Sequence, residues 1–449
     1  MIKFKKLLIV IAFCLLLSGC SEASMENLLM PPKMSEEQSE IYQVLVNSAG
    51  KNVKLKYPKS GDYRSAFVVR DIDNDPGDEA MVFYESTNVQ SGESALRLKI
   101  LDKSNGKWQA VYDLACPGSE VESISFANMN SSRRIDIIIC YTLLGKTEKV
   151  FSVLNYADKI PVELYSSPYS ILEVTDLNAD GEDELFVVNH DKTNQISTAS
   201  LLKNTDEGFK KLSELQLSHI AAEYLRVTKG KINQNTEGIF LDYSMGKSNG
   251  VIGVSCTDIF YCYGNNLGGL MCDVRYTNEL TPEIYSMDID NDGIIETANT
   301  RTLPGYETLP AEEQLYVVRW VECEMVETGD VRLDHYSYYS GKYRFALFFP
   351  DRWQGVVTAV PNFTDNEIVF ILYDEKTGLN ITPSTELMRI RAVDKDDTSA
   401  VAAIRTQKEF RLLAENDVMS YYISETTGYR TGKLALTDSE LKYNFIMLK

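Results

Sequence analysis

The sequence predicts a mainly β chain: a run of repeated strand-rich units followed by a smaller α+β domain. Three observations carry this expectation. Between residues 60 and 335 the helical apolar period of 3.6 is nearly absent, whereas short alternating apolar runs recur. An acidic loop with a fixed frame returns along the same stretch. Near Tyr336 the pattern changes, and capping and helical signals appear among the strands.

In chain order, the first nineteen residues read as an address. Lys3, Lys5 and Lys6 form a positive start, Leu7 to Leu17 is an unbroken apolar run, and Leu17-Ser18-Gly19-Cys20 closes it with small residues before a cysteine. Eleven apolar residues are too few to span a bilayer as a helix. Residues 20–40 read as a flexible tether, because Pro31-Pro32 and Ser35-Glu36-Glu37-Gln38 offer little to bury.

The net charge of −20 argues against nucleic acid as a partner and against lying flat on an anionic membrane. It suits divalent cations. Apart from Cys14 and Cys20, the chain carries Cys116, Cys140, Cys256, Cys262, Cys272 and Cys323. Disulfides and buried free thiols both fit, and the spacing lacks the C-x2-C knuckle of a zinc site.

Three segments then align. Asp71-Ile-Asp73-Asn-Asp75-Pro-Gly-Asp-Glu79, Asp176-Leu-Asn178-Ala-Asp180-Gly-Glu-Asp-Glu184 and Asp288-Ile-Asp290-Asn-Asp292-Gly-Ile-Ile-Glu296 place oxygen-bearing side chains at loop positions one, three, five and nine. Weaker copies begin at Asn128, with Asp136 in ninth place, and at Lys229, with Glu237 in ninth place. The five loop starts are 57, 48, 53 and 59 residues apart, room for about four short strands each, the size of one propeller blade. Within the first unit, Asn105-Gly106 marks a hairpin turn between two strands.

Two resemblances follow from these residues. The N-terminal segment resembles a bacterial lipoprotein signal peptide, which implies a lipid on Cys20 and a cell-membrane location facing outside the cytoplasm. The loops resemble FG-GAP or VCBS repeats, as in the integrin α-chain propeller, over residues 60 to 335. That resemblance implies a β-propeller over residues 41–335 with calcium in Asp-x-Asp-x-Asp-Gly loops. Five units can be counted, and six or seven remain open. Loop one departs from the pattern by inserting Pro76 before Gly77.

Calcium takes six to eight hard oxygen ligands, which alternate loop residues can supply with a glycine to make the turn. The expected structural calcium ligands are Asp71, Asp73, Asp75 and Glu79; Asp176, Asn178, Asp180 and Glu184; and Asp288, Asp290, Asp292 and Glu296. The loop at Asn128 has too few carboxylates. At Lys229 the ammonium groups of Lys229 and Lys231 are expected to take the cation's place.

Residues 336–449 read as the α+β domain, with strands over 355–360, 368–373, 387–393 and 418–424 and a helix over 398–414. A capping box at Thr437-Asp-Ser-Glu440 opens a last helix. The segment Phe348-Phe-Pro-Asp-Arg-Trp353 is similar to one in a small domain of other exported bacterial lipoproteins. The tyrosines at 336, 338, 339 and 343 suit either a ligand surface or packing. His190, His219 and His335 fall in no hydrolase motif and read as surface or strand residues. The expected function is therefore that of a binding and adhesion module, not an enzyme, with an unidentified protein or glycan as ligand. A polysaccharide-active enzyme of the cell envelope that uses the propeller as scaffold is the alternative.

Overall fold

A computed structural model describes residues 34–86, 94–130, 135–143, 148–157, 159–191, 193–245, 254–271, 278–279, 284–310, 313–326 and 328–448. The leader, Cys20, Pro31-Pro32 and Cys272 lie outside the described residues. The chain divides into two compact units, residues 1–125 with 134–163, and 126–133 with 164–449.

A helix, α1 (Glu36–Ala49), opens the described chain, so the tether expected up to residue 40 ends sooner. Ser35 and Gln38 form a reciprocal capping box, and Ile41 and Leu45, one turn apart, are buried. Both side chains join a core with Phe67, Val82 and Trp108. The capping signal was present in the tether's own polar residues.

Five antiparallel sheets follow in chain order. The first holds β1 (Val53–Leu55), β2 (Phe67–Arg70), β3 (Glu79–Ser86), β4 (Leu96–Ser104) and β5 (Lys107–Ala115). Asn105 and Gly106, at φ 51° and 75°, make the left-handed two-residue turn between β4 and β5 that the sequence predicts. The second holds β6 (Glu120–Ala127), β7 (Asp136–Thr142), β8 (Lys149–Ala157) and β9 (Ile160–Tyr169). The third holds β10 (Ile171–Thr175), β11 (Glu184–Asp191), β12 (Ile196–Thr205) and β13 (Gly208–Gln216).

The fourth sheet holds β14 (Glu223–Asn233), β15 (Thr236–Ser244), β16 (Val254–Tyr263) and β17 (Asn266–Leu270), with β18 (Asn278–Glu279) also on β16. The fifth holds β19 (Thr297–Thr302), β20 (Tyr316–Met325), β21 (Asp330–Ser340) and β22 (Phe345–Phe348), and β28 (Phe445–Met447) pairs with β22. A sixth sheet has the order β23 (Val357–Asn362), β24 (Glu367–Leu372), β25 (Glu386–Asp394), β27 (Met419–Glu425), β26 (Arg411–Glu415). The architecture is mainly β, in several antiparallel sheets.

The strand after each of the first four loop frames is apolar and buried on both faces: β3, β7, β11 and β15 each bury at least five consecutive residues. In β3, β7 and β11 that strand begins with the ninth-position acid, and Glu296 stands just before β19. Sheet packing therefore carries Glu79, Asp136, Glu184 and Glu296 out of water, each no more than 1 % exposed.

Two expectations for the C-terminal part need correction. A boundary at 336 would cut β21, which pairs with β20 on one side and with β22 on the other. One core joins Leu303 and Tyr306 to Tyr338, Tyr343 and Trp353 across that point. Tyr338 and Tyr343 are core residues, and Tyr339 packs on Trp320. The helix expected over 398–414 stops early, as α2 (Thr398–Thr406), because Arg411–Glu415 supplies β26 against β27. A short α3 (Thr427–Arg430) follows, and α4 (Asp438–Asn444) starts at the expected Thr437/Glu440 capping box. Among the described residues, Cys116, Cys140, Cys256, Cys262 and Cys323 are not joined in disulfides.

Candidate metal centres

The three acidic loops share one backbone solution. Their fourth residues, Asn74, Ala179 and Asn291, sit at φ 63°, 58° and 64°, in the left-handed region. In each loop the ninth-position glutamate turns one oxygen back: Oε2 of Glu79, Glu184 and Glu296 accepts from the N–H of Ile72, Leu177 and Ile289 at 2.9, 3.0 and 2.9 Å. Gly181 and Gly293, at φ 88° and 92°, donate to Oδ2 of Asp176 and Asp288. Loop one has Pro76 at that position, which has no N–H to give. There Asp71 Oδ1 accepts from Asn74 instead, at 2.7 Å.

This folding brings together Asp71, Asp73 and Glu79; Asp176, Asp180 and Glu184; and Asp288, Asp290 and Glu296, each set with ligand oxygens within 4.8 Å of one another. Asp75 and Asp292 fall outside these sets, and Asn178 brings an amide rather than an acid to the third place of its loop. Their Oδ1 atoms accept from Gly77, Asp180 and Ile294, so they hold the turns.

The loops differ in what stands across the sheet from the ninth-position acid. In the first sheet Glu79 faces Asp102, which Lys159 answers by a salt bridge. In the second, Asp136 faces Asn155, whose amide donates to it at 3.2 Å. In the third, Lys203 lies next to the Leu185–Leu202 pair and sends a buried ammonium to Glu184 Oε1 at 2.9 Å, Asp180 Oδ2 at 2.7 Å and Glu182 Oε2 at 3.2 Å. In the fifth, Glu322 lies next to the Thr297–Val321 pair, and Glu296 Oε1 has no hydrogen-bond partner.

Burial raises the ninth-position acid in all three loops. Burial, with Asp73, Asp75 and Asp102 nearby, raises Glu79 to about 7. Burial, with Asp290, Asp334 and Asp288 nearby, raises Glu296 to about 9. Asp180, by contrast, is held below the ordinary carboxylate range: Lys203 outweighs its desolvation. Glu184 is raised as well, because its burial outweighs the Lys203 ammonium beside it.

Around the Asp288 loop the sequence reading missed several groups. Asp334 and His335 on β21 reach it: His335 Nε2 lies 3.0 Å from Asp334 Oδ2 and 3.4 Å from Asp290 Oδ2, its ring stacked on Phe348 at 4.1 Å. Glu296, Glu322 and Asp334 also gather within 4.8 Å. Arg332 contacts Glu322 at 2.6 Å and Asp334 at 3.4 Å. A cleft of about 500 Å³ opens beside Asp292, Glu322 and Arg332, and another of about 580 Å³ beside Asp334, His335 and Tyr336. His335 was read as an ordinary strand residue, and only the register of β21 on β20 reveals its setting.

The frame at Lys229 is not a loop. β14 runs through it to Asn233, and the Lys229 ammonium goes to Glu173 and the Val174 carbonyl, each at 3.1 Å. The lysine that takes a cation's place is Lys203, in the sheet before. The frame at Asn128 docks on loop 176–184, trading hydrogen bonds with Asp183.

No protein-family model matches the chain, and no curated protein matches it. Among solved structures it is similar to the exotype rhamnogalacturonan lyase YesX, at 11% identity and a TM-score of 0.27, covering 73% of this chain. It spans 61% of that lyase. It is also similar to the PL11 rhamnogalacturonan lyase of Bacillus licheniformis, at 10% identity and TM-score 0.30, over 74% of this chain and 77% of that one. A third likeness is to the GH43 β-1,3-galactosidase BT3683, at 8% identity and TM-score 0.26, over 64% of this chain and 95% of that one. Scores of this size carry no argument about chemistry. The reading as a binding and adhesion module is withdrawn because buried carboxylates here border open clefts.

Proposed function

We propose that the chain is a calcium-dependent enzyme acting on a polysaccharide of the cell envelope, held outside the cytoplasm by lipid on Cys20. Its five sheets in chain order are taken as FG-GAP/VCBS-like propeller blades that scaffold the site. The observation that carries the reading is the carboxylate cluster at the Asp288 loop, set between two clefts large enough for sugar rings.

The donors fit calcium by chemistry and by what they lack. All are carboxylate oxygens, which a hard cation prefers. Glu296 Oε1 is buried without a partner at the point where the Asp176 loop has an ammonium. Asp288, Asp290 and Glu296 would hold one ion, and Asp71, Asp73 and Glu79 another. Bound calcium supplies charge neutralisation and oxygen-seeking coordination that hydroxyl or carboxylate groups of a sugar can complete. The chain's own part is to fix those oxygens: the Ile289 N–H holds Glu296, and His335 Nε2 lies against Asp290 at 3.4 Å. Lys203 closes the Asp176 loop without metal.

The test is to incubate the full chain with a panel of neutral and uronate-bearing polysaccharides, with calcium or with a chelator, and to measure new reducing ends and unsaturated products. Calcium-dependent cleavage of at least one polymer is expected. No cleavage of any polymer in the presence of calcium would overturn the proposal.

A further inference from the structure

We infer that a second divalent cation, calcium by its all-oxygen donors, binds beside the Asp288 loop between Glu296, Glu322 and Asp334. This deepens the reading above and rests on the loop itself holding calcium. Three elements deliver the donors: Glu296 closes the loop before β19, Glu322 comes from β20 and Asp334 from β21. Their oxygens lie within 4.8 Å, in a set that shares only Glu296 with the loop's own.

Three carboxylates this close repel unless a cation stands among them. The counter-charge present is Arg332, a half-exposed residue at the rim that also contacts Glu324. It contacts Glu322, Glu324 and Asp334, while the adjoining loop adds Asp288, Asp290, Asp292 and Glu296, so one divalent ion in the loop leaves acids in excess. Independent of that count is the state of two buried oxygens. Glu296 is wholly buried, with Oε2 taken by the Ile289 N–H and Oε1 unpaired among the described residues; Oδ2 of Asp334, which lies outside the loop's own set, likewise makes no hydrogen bond among them. A buried carboxylate oxygen without a partner costs several kcal/mol in general, so native folds rarely leave one.

The third sheet gives the comparison. There the corresponding oxygen, Glu184 Oε1, receives a cation, the Lys203 ammonium, delivered from the strand position that Glu322 holds in the fifth sheet. Exchanging lysine for glutamate at that position removes a fixed cation and adds a ligand. A mobile ion then takes the role of the ammonium, with Asp334 as a further donor from β21. The 500 Å³ cleft at Glu322 gives it a path to solvent.

Counting bound calcium on the full chain by equilibrium dialysis tests this. Wild type should bind three ions, one at the Asp71 loop and two at the Asp288 loop, and the double variant Glu322→Gln/Asp334→Asn should bind two. Glu322→Lys, which copies the third sheet and needs no metal there to fold, should also bind fewer than three. A wild-type count of two, or a count of three that survives Glu322→Lys, overturns the second site and leaves the loops intact. A wild-type count of zero removes the loop reading, and the second site with it.

Discussion

The loops at Asp176 and Asp288 have the same left-handed fourth residue, the same glycine at the sixth place and the same glutamate hook at the ninth. Among the differences around them, the side chain beside the ninth-position acid on the next strand is opposite in charge. Lys203 satisfies three acids of the first loop, whereas Glu322 adds a negative charge beside the second. An acidic turn is therefore not by itself a metal site. What stands against its charge is set on the neighbouring strand, at the residue beside the ninth-position acid.

The strongest way to break this comparison is to remove the ammonium. Lys203→Gln in chelator should destabilise the protein by about 3 kcal/mol or more, because buried acids lose their partner. Calcium should restore much of that loss and add one bound ion. Urea unfolding with and without calcium reads it, and an unchanged midpoint in chelator would show Lys203 to be incidental.

Next in size is the effect of calcium on wild type. A site at a hundredfold excess of ion over Kd stabilises by about 2.7 kcal/mol, so chelation should lower the melting temperature clearly. Identical melts with and without calcium would sink the metal reading of both the Asp71 and Asp288 loops. Magnesium, with its smaller octahedral shell, should replace calcium poorly.

A finer contrast uses one substitution in both loops. Asp288→Asn should lower the calcium count and most of the calcium-dependent stabilisation, whereas Asp176→Asn should leave the count unchanged. Equal losses from the two would erase the distinction drawn from Lys203 and Glu322.

The smallest effect calibrates the others at a surface pair. The Arg352 guanidinium, with the Thr437 N–H, holds Glu440 at about 2, below its ordinary 4.5. A depressed acid adds stability above its unfolded value, and that stability fades as pH falls from about 4.5 toward 2. Because the pair is exposed to solvent, the gain is about 1 kcal/mol at most. Glu440→Gln should flatten the acid limb of the stability curve by that amount, and no change there would show the pair to be inert.

Much of this molecule was legible locally. The Asn105-Gly106 hairpin, the Thr437/Glu440 box and the three acidic frames depend on neighbours a few residues away, and each appears where the pattern put it. What depended on register did not come through. Asp102, Lys203 and Glu322 lie 23, 19 and 26 residues after the acids they meet, spacings too irregular to read without the hairpins in place. The frame at Lys229 failed for a similar reason: polar residues at alternate positions describe a half-exposed strand as well as a loop, and β14 is that strand. The supposed boundary at Tyr336 followed a change in composition, while β21 continues through it.

The pairing of β28 with β22 sets an order in time. The fifth sheet carries the acid cluster, yet its outer strand arrives roughly a hundred residues after β22, so the sheet closes only by a long-range contact. A chain emerging residue by residue can finish its earlier sheets while this one still has an open edge. A chain cut short before Phe445 would leave β22 as an exposed edge ready to pair with another molecule.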